Sequence, residues 1–143
     1  MNMPKSRPPI EILVVDDDEI DVMHVERELF KLNLPIQFQT AHDGVEALTK
    51  LTAKRNNQPI IPPKIIVLDL MMPKMNGLEF LKALRKQTQL TGVSIFVLTT
   101  SNNEKDKCAI EAYKVDGYFV KDTQFQEFIH TCKNVLTLIT RSN

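Results

Sequence analysis

The chain has 143 residues, with 18 Lys and Arg against 18 Asp and Glu and a formal net charge of +0. That length suits one domain with its own core, and the charge balance gives no field that would draw it to nucleic acid or an anionic membrane. No apolar stretch approaches the roughly 20 residues of a membrane span, and Lys5 and Arg7 have no apolar segment behind them to act as a signal peptide, so a cytoplasmic protein is expected.

Residues 1–9 read as a flexible leader, and residues 10–141 as a single domain. Ile10, Ile12, Leu13, Val14 and Val15 form a β-branched run that suits a strand buried on both faces. An amphipathic helix follows, with Val22, Val25, Leu29 and Leu32 on one stripe, ended by Asn33 and Pro35. Ile36 to Thr40 alternates apolar and polar residues, as a strand near a sheet edge does. Asp43 and Glu46 have capping-box spacing at the start of a second helix through Val45, Leu48 and Leu51. Asn56 to Pro63 (NNQPIIPP) reads as a long loop, a surface insertion or partner contact. Strand three is Lys64 to Leu68, and Asn76 and Glu79 cap a helix presenting Leu78, Leu81 and Leu84. Strand four is Ser94 to Leu98, a fourth helix spans about Asn103 to Val115, and strand five is Tyr118 to Val120. The last helix carries Phe125, Phe128, Ile129, Cys132, Val135, Leu136 and Ile139 at helical spacing, with Thr123 and Gln126 as its capping box. Cys108 and Cys132 both fall in predicted helices without a C-x-x-C or histidine partner, so buried reduced thiols are expected.

Five alternations of strand and helix with apolar inner strands argue an α/β fold, a doubly wound parallel sheet covered on both faces. Binding sites in such sheets lie beyond the carboxyl ends of the strands, where the strand order reverses. Asp16, Asp17, Asp18 and Glu19 follow strand one, Asp69 follows strand three, Thr99 and Thr100 end strand four, and Lys121 follows strand five. Carboxylates gathered this way repel one another unless a cation sits among them, and Mg²⁺ suits an oxygen site that stays open to water. Asp18 reads as a helix cap. A carboxylate can attack phosphorus to give an acyl phosphate. Its further needs are positioning and neutralised oxygen charge, which Mg²⁺, Lys121 and the Thr99 hydroxyl could supply.

The segments ILVVDDDE (Ile12 to Glu19), IIVLDLMMPKMNGLEFLKALR (Ile65 to Arg85), FVLTTS (Phe96 to Ser101) and GYFVKD (Gly117 to Asp122) together resemble the receiver domains of bacterial response regulators. The resemblance implies a flavodoxin-like (βα)₅ fold with strand order 2-1-3-4-5. It makes Asp69 the phosphoacceptor, Asp17 a direct Mg²⁺ ligand, Asp16 a ligand acting mainly through water, and the Met71 backbone carbonyl a further ligand. Thr99 becomes the switch hydroxyl, Lys121 the family lysine, and Tyr118 the aromatic that turns inward when Thr99 engages the phosphoryl group. Met72-Pro73 and Gly77 fit the turn after the acceptor. By the same resemblance the chain is no enzyme in the ordinary sense but assists its own phosphorylation and dephosphorylation. The donor would be a sensor histidine kinase or a histidine phosphotransfer protein.

Helix four, strand five and helix five would carry the signal to a downstream target protein or to a second copy. Because the sequence ends at Asn143, no output domain is expected.

One departure stands out. The family usually has proline after its lysine, through a cis peptide, and here Asp122 follows Lys121. Either the peptide is trans and Lys121 shifts, or a cis bond is kept at a cost of about 3–4 kcal/mol. Met71 and Ser101 lie two residues beyond Asp69 and Thr99, and neither orients water strongly, so a phosphoryl group longer-lived than in the chemotaxis receiver is expected. A haloacid-dehalogenase-type phosphatase would need a second Asp where Met71 stands. A flavin carrier would need a phosphate loop where DDDE stands. A degenerate receiver that only binds partners is the remaining alternative, supported by Asp122 alone.

Overall fold

The computed structural model describes residues 8–142; most of the expected leader, residues 1–7, lies outside the described residues. In chain order the elements are β1 (Ile10–Val15), α1 (Glu19–Phe30), β2 (Ile36–Ala41), α2 (Gly44–Leu51), β3 (Lys54–Arg55), β4 (Gln58–Pro59), β5 (Ile65–Leu68), α3 (Gly77–Leu84), a 3₁₀ turn (Thr88–Leu90), β6 (Ser94–Thr99), α4 (Glu104–Glu111), β7 (Gly117–Val120) and α5 (Lys121–Ser142). Five strands form one parallel sheet in the order β2-β1-β5-β6-β7. With the small β3–β4 ribbon set aside, this is the 2-1-3-4-5 order expected from the sequence.

Successive strand residues point to opposite faces, and here both faces are covered. Leu13, Val15, Ile66, Leu68, Ile95 and Val97 pack with Ala47, Leu51, Phe80, Leu81, Leu84 and Ile110 of α2, α3 and α4. Ile12, Val14, Ile65, Val67, Phe96 and Leu98 pack with Val22, Val25, Leu29, Phe128, Cys132 and Leu136 of α1 and α5. This is why β5, and β1 from Ile12 onward, read as continuous apolar runs. No helix among the described residues is long and apolar enough to cross a membrane.

Four local expectations need correction. Asn56 to Pro63 is not wholly loop: Lys54 pairs with Pro59 and Arg55 with Gln58 in an antiparallel hairpin. Asn56 and Asn57 sit at its tip with φ of 54° and 63°, the left-handed pair that a tight hairpin turn demands and that asparagine tolerates. Helix α4 stops at Glu111 rather than near Val115. The left-handed Lys114 (φ 56°) turns the chain, and Arg85 caps this end by donating from Nε to the Tyr113 carbonyl (2.7 Å) and from Nη2 to the Lys114 carbonyl (2.9 Å). Helix α5 is two helical segments that meet at a kink, and the residue that breaks the helix there is Gln124 and not Thr123; Gln124 Oε1 accepts the Val120 N–H at 2.9 Å. Cys108 is exposed, whereas Cys132 is buried and its thiol is pushed up to about 12 by burial.

The remaining caps follow the sequence. Asn76 and Glu79 form the reciprocal capping box of α3. Asp43 accepts the Glu46 N–H at 2.8 Å, while Glu46 reaches one residue further, to the His42 N–H at 3.0 Å. Gly77 opens α3 directly against the end of β5: a Cβ there would stand 2.7 Å from Leu70 Cα and 2.9 Å from the Asp69 carbonyl oxygen. Only glycine permits that approach, so α3 is docked against the segment that carries Asp69.

Candidate functional site

The sheet order reverses at β1, which lies between β2 and β5, and the crevice beyond the strand ends opens there. Strand pairing continues one residue past each strand. The Asp16 N–H donates to the Ala41 carbonyl at 3.0 Å and the Asp69 N–H to the Val15 carbonyl at 2.9 Å. Both backbones are therefore fixed by the sheet while their side chains enter the crevice. Asp16 is 4% exposed, Asp69 6% and Thr99 0%, whereas Asp17 is exposed.

Carboxylate oxygens of Asp16, Asp17 and Asp69 lie within 4.8 Å of one another. Two oxygens on opposite sides of a small hard cation, each about 2.1 Å from it, would stand about 4.2 Å apart. The three side chains therefore fit a shared Mg²⁺-sized ion with little rearrangement, and they offer the oxygen-only donor set such an ion prefers.

Lys121 Nζ enters the same space. It lies 2.7 Å from Asp16 Oδ2, 2.7 Å from Asp21 Oδ2 and 3.2 Å from Asp69 Oδ2. No cis peptide occurs among the described residues, so the Lys121–Asp122 bond is trans, and Lys121 reaches Asp69 all the same. The second oxygens are also engaged: Asp16 Oδ1 accepts the Asp18 N–H at 2.9 Å, and Asp69 Oδ1 the Met71 N–H at 3.1 Å. Asp18 itself caps α1, accepting from the Ile20 and Asp21 N–H groups.

The electrostatics are unequal across this cluster. Burial pushes Asp16 up from 3.8 to about 6, and the Asp69 charge adds to this, against the lowering effect of Lys121 and the Asp18 N–H. Burial also opposes the Lys121 ammonium, but its hydrogen bonds to Asp16 and Asp21 and the charge of Asp69 outweigh it and hold the lysine above its ordinary value. Both partners gain from the pairing, but for Asp16 the cost of burial outweighs it, whereas for Lys121 three carboxylates together outweigh that cost.

A stability consequence follows. Asp16 holds its proton more tightly folded than unfolded, so its favourable contribution is complete below about pH 4 and is lost as the pH rises through about 6. In metal-free buffer at pH 7, Asp16→Asn is expected to be more stable than wild type by on the order of 1–2 kcal/mol. The gap should close on acidification to pH 4. Urea unfolding of both proteins across that range tests this, and a gap independent of pH would refute it.

Thr99 Oγ1 accepts the Ser101 N–H at 3.4 Å. Ser101 ties this loop to its surroundings: its hydroxyl donates to Asp106 Oδ2 at 2.7 Å, and its carbonyl accepts the Tyr118 hydroxyl at 2.8 Å. Lys107 Nζ stands 5.7 Å from the centre of the Tyr118 ring. Burial, followed by the nearby Asp106 and Glu104 charges, raises the Tyr118 phenol despite its hydrogen bond to Ser101. Thr99 and Tyr118 therefore meet at one loop, next to the first turns of α4.

Of the residues singled out in the sequence, Asp16, Asp17, Asp69 and Lys121 gather in one cluster, and Thr99 and Tyr118 meet at the Ser101 loop. Two participants were missed. Asp21 reads in the sequence as an ordinary acidic residue of a first helical turn. The contact between Ser101 and Asp106 has no motif to announce it.

Residues 12–133 match the response regulator receiver domain family. The chain belongs to that family. Among its relatives is the response regulator Rcp1 of Synechocystis sp., 28% identical over 92% of this chain and 89% of that protein. A crystal structure of the Mn²⁺-bound form of response regulator Rcp1 superposes with a TM-score of 0.75 at 29% identity, covering 89% of this receiver and 91% of that chain. A two-component response regulator from Legionella pneumophila is 36% identical, with a TM-score of 0.74 over 94% and 99% of the two chains. The phosphorylated cyanobacterial phytochrome response regulator RcpA gives a TM-score of 0.76 at 27% identity over 89% and 91%. The receiver is thus homologous to response regulators of two-component systems over nearly all of its length.

Proposed function

We propose that residues 10–141 act as one receiver that accepts a phosphoryl group on Asp69 with Mg²⁺ and signals to a partner protein. The observation that carries this reading is the convergence on Asp69: a buried carboxylate with the Lys121 ammonium 3.2 Å away, inside a cluster of three carboxylates whose oxygens lie within 4.8 Å. The relatives whose structures are described as Mn²⁺-bound and as phosphorylated support it.

Asp16, Asp17, Asp69 and the Met71 carbonyl would hold the cation, whose contribution when bound is to neutralise charge on a phosphoryl oxygen. The rest falls to the protein's own groups. An Asp69 carboxylate oxygen attacks phosphorus; the new O–P bond forms as the donor's bond to phosphorus breaks, and a histidine donor leaves as imidazole. Lys121 donates to a phosphoryl oxygen, and the Thr99 hydroxyl turns to another. When Thr99 turns, the loop it shares with Ser101 moves and Tyr118 repacks inward, which alters the face made by α4, β7 and α5. The phosphodonor is a sensor histidine kinase or a histidine phosphotransfer protein. The readout is a downstream target protein or a second copy on that face.

Incubation with acetyl phosphate and Mg²⁺, followed by intact-mass measurement, should yield a single phosphoryl adduct that chelation of the metal prevents. A protein that remains folded, binds Mg²⁺ and forms no adduct would leave the partner-binding alternative in its place.

A further inference from the structure

Lys121 has three carboxylate partners, and one of them stands outside the metal cluster. Asp16 and Asp69 belong to the oxygen cluster with Asp17; Asp21 does not. A divalent cation in that cluster draws on the same two carboxylates as the ammonium, and two cations so placed repel. The Asp21 carboxylate, 2.7 Å from Nζ, is the counter-charge that Lys121 does not have to share.

The local structure directs Asp21 to this task. Asp18 is the N-cap of α1, which makes Asp21 the third helical residue, the position from which a carboxylate in a capping box reaches back to the N-cap N–H. Here that N–H is already taken by Asp16 Oδ1 at 2.9 Å. Asp21 is left free to turn toward Lys121. On the other side of the contact, Lys121 directly follows β7, in a short turn that a kink at Gln124 separates from the long part of α5. With Asp122 next in sequence there is no proline ring to fix the loop. The place of the ammonium therefore depends on its carboxylates. Its side chain is 10% exposed against 35% for Asp21, so Asp21 closes the outer side of the contact.

We propose that Asp21 is a positioning residue: it holds the Lys121 ammonium beside Asp69 when Asp16 and Asp69 are engaged by the metal. This rests on Asp69 being the phosphoacceptor, and its role is exerted through Lys121 alone.

The test uses the full chain as wild type, Asp21→Asn, Asp21→Glu and, as a control, Glu19→Gln. Glu19 lies on the same helical turn, and its side chain is 82% exposed. The first readout is the rate of phosphorylation by acetyl phosphate as a function of Mg²⁺. At saturating Mg²⁺, Asp21→Asn should be slower by about tenfold, the low end for loss of an orienting partner. Asp21→Glu, which keeps the charge, should recover part of the rate, and Glu19→Gln should match wild type. The second readout is the Lys121 ammonium resonance in ¹⁵N-lysine-labelled, metal-free protein, assigned by its absence in Lys121→Ala. It should be shifted or lost in Asp21→Asn and unchanged in Glu19→Gln. A wild-type rate in Asp21→Asn, or a rate fully restored by more Mg²⁺, overturns the proposal. If no protein is phosphorylated at all, the reading of Asp69 fails on its own, and an unchanged Lys121 resonance in Asp21→Asn would then overturn the positioning role separately.

Discussion

Lys121→Ala should phosphorylate with acetyl phosphate about 10²–10³-fold more slowly than wild type at saturating Mg²⁺, while binding Mg²⁺ at least as tightly. The first half follows from position. The ammonium hydrogen-bonds to Asp69 Oδ2 at 3.2 Å, and its side chain is 10% exposed, so it lies beside any group bonded to that carboxylate and is poorly screened by water. Removing one such preorganised donor from a site of developing negative charge costs about 10²–10³ in rate. The second half follows from competition. Lys121 holds Asp16 and Asp69, two of the three carboxylates of the metal cluster, and its removal frees them. Adduct formation timed by intact mass, with metal affinity from calorimetry, separates the two effects. A variant that lost metal binding and rate together would show that the lysine supports the cluster instead of the transfer.

The largest effect on stability should come from Phe128→Ala, expected to destabilise by about 3–5 kcal/mol. Phe128 is fully buried on α5. Its ring meets Phe119 of β7 at 5.8 Å between centroids and Phe125 at 5.8 Å, in a cluster shared with Val22, Val25 and Leu29 of α1. A close-packed core relaxes only partially around a deleted ring, so both the transfer and cavity costs apply. Against a total stability of about 5–15 kcal/mol for a domain of this kind, that loss is a large fraction. Met23→Ala on the outer face of α1, where the side chain is 67% exposed, should fall within about 0.5 kcal/mol of wild type. Urea unfolding measures both. A loss below about 1 kcal/mol for Phe128→Ala would mean that this face of the sheet is loosely packed.

The fold was legible because its energetics are written in short local runs. A parallel strand buried on both faces must be apolar through its middle, and the runs at residues 12–15, 65–68 and 95–98 announced three of them. The site was legible because charge at the end of such a run has few structural reasons to be there, as at Asp16 and Asp69. What stayed hidden depends on contacts that span the chain. Asp21 and Lys121 are 100 positions apart, and a carboxylate in a first helical turn already has an explanation in the helix dipole. The β3–β4 hairpin escaped because two-residue strands carry no alternation to detect; Asn56-Asn57 was the available signal, since two adjacent asparagines suit a turn with two left-handed residues. The start of α5 was misplaced because Thr123 and Gln126 have capping-box spacing. Gln124 instead spends its side chain on the free Val120 N–H of the edge strand.

The most direct measurement of the central claim is the position of the acyl phosphate. Protein phosphorylated with acetyl phosphate and Mg²⁺ is reduced with borohydride, which converts an aspartyl phosphate to homoserine, and its peptides are then sequenced by mass spectrometry. The account predicts homoserine at position 69 and nowhere else. Homoserine at position 16 or 17, or phosphate on a hydroxyl or histidine with residue 69 unmodified, would contradict it.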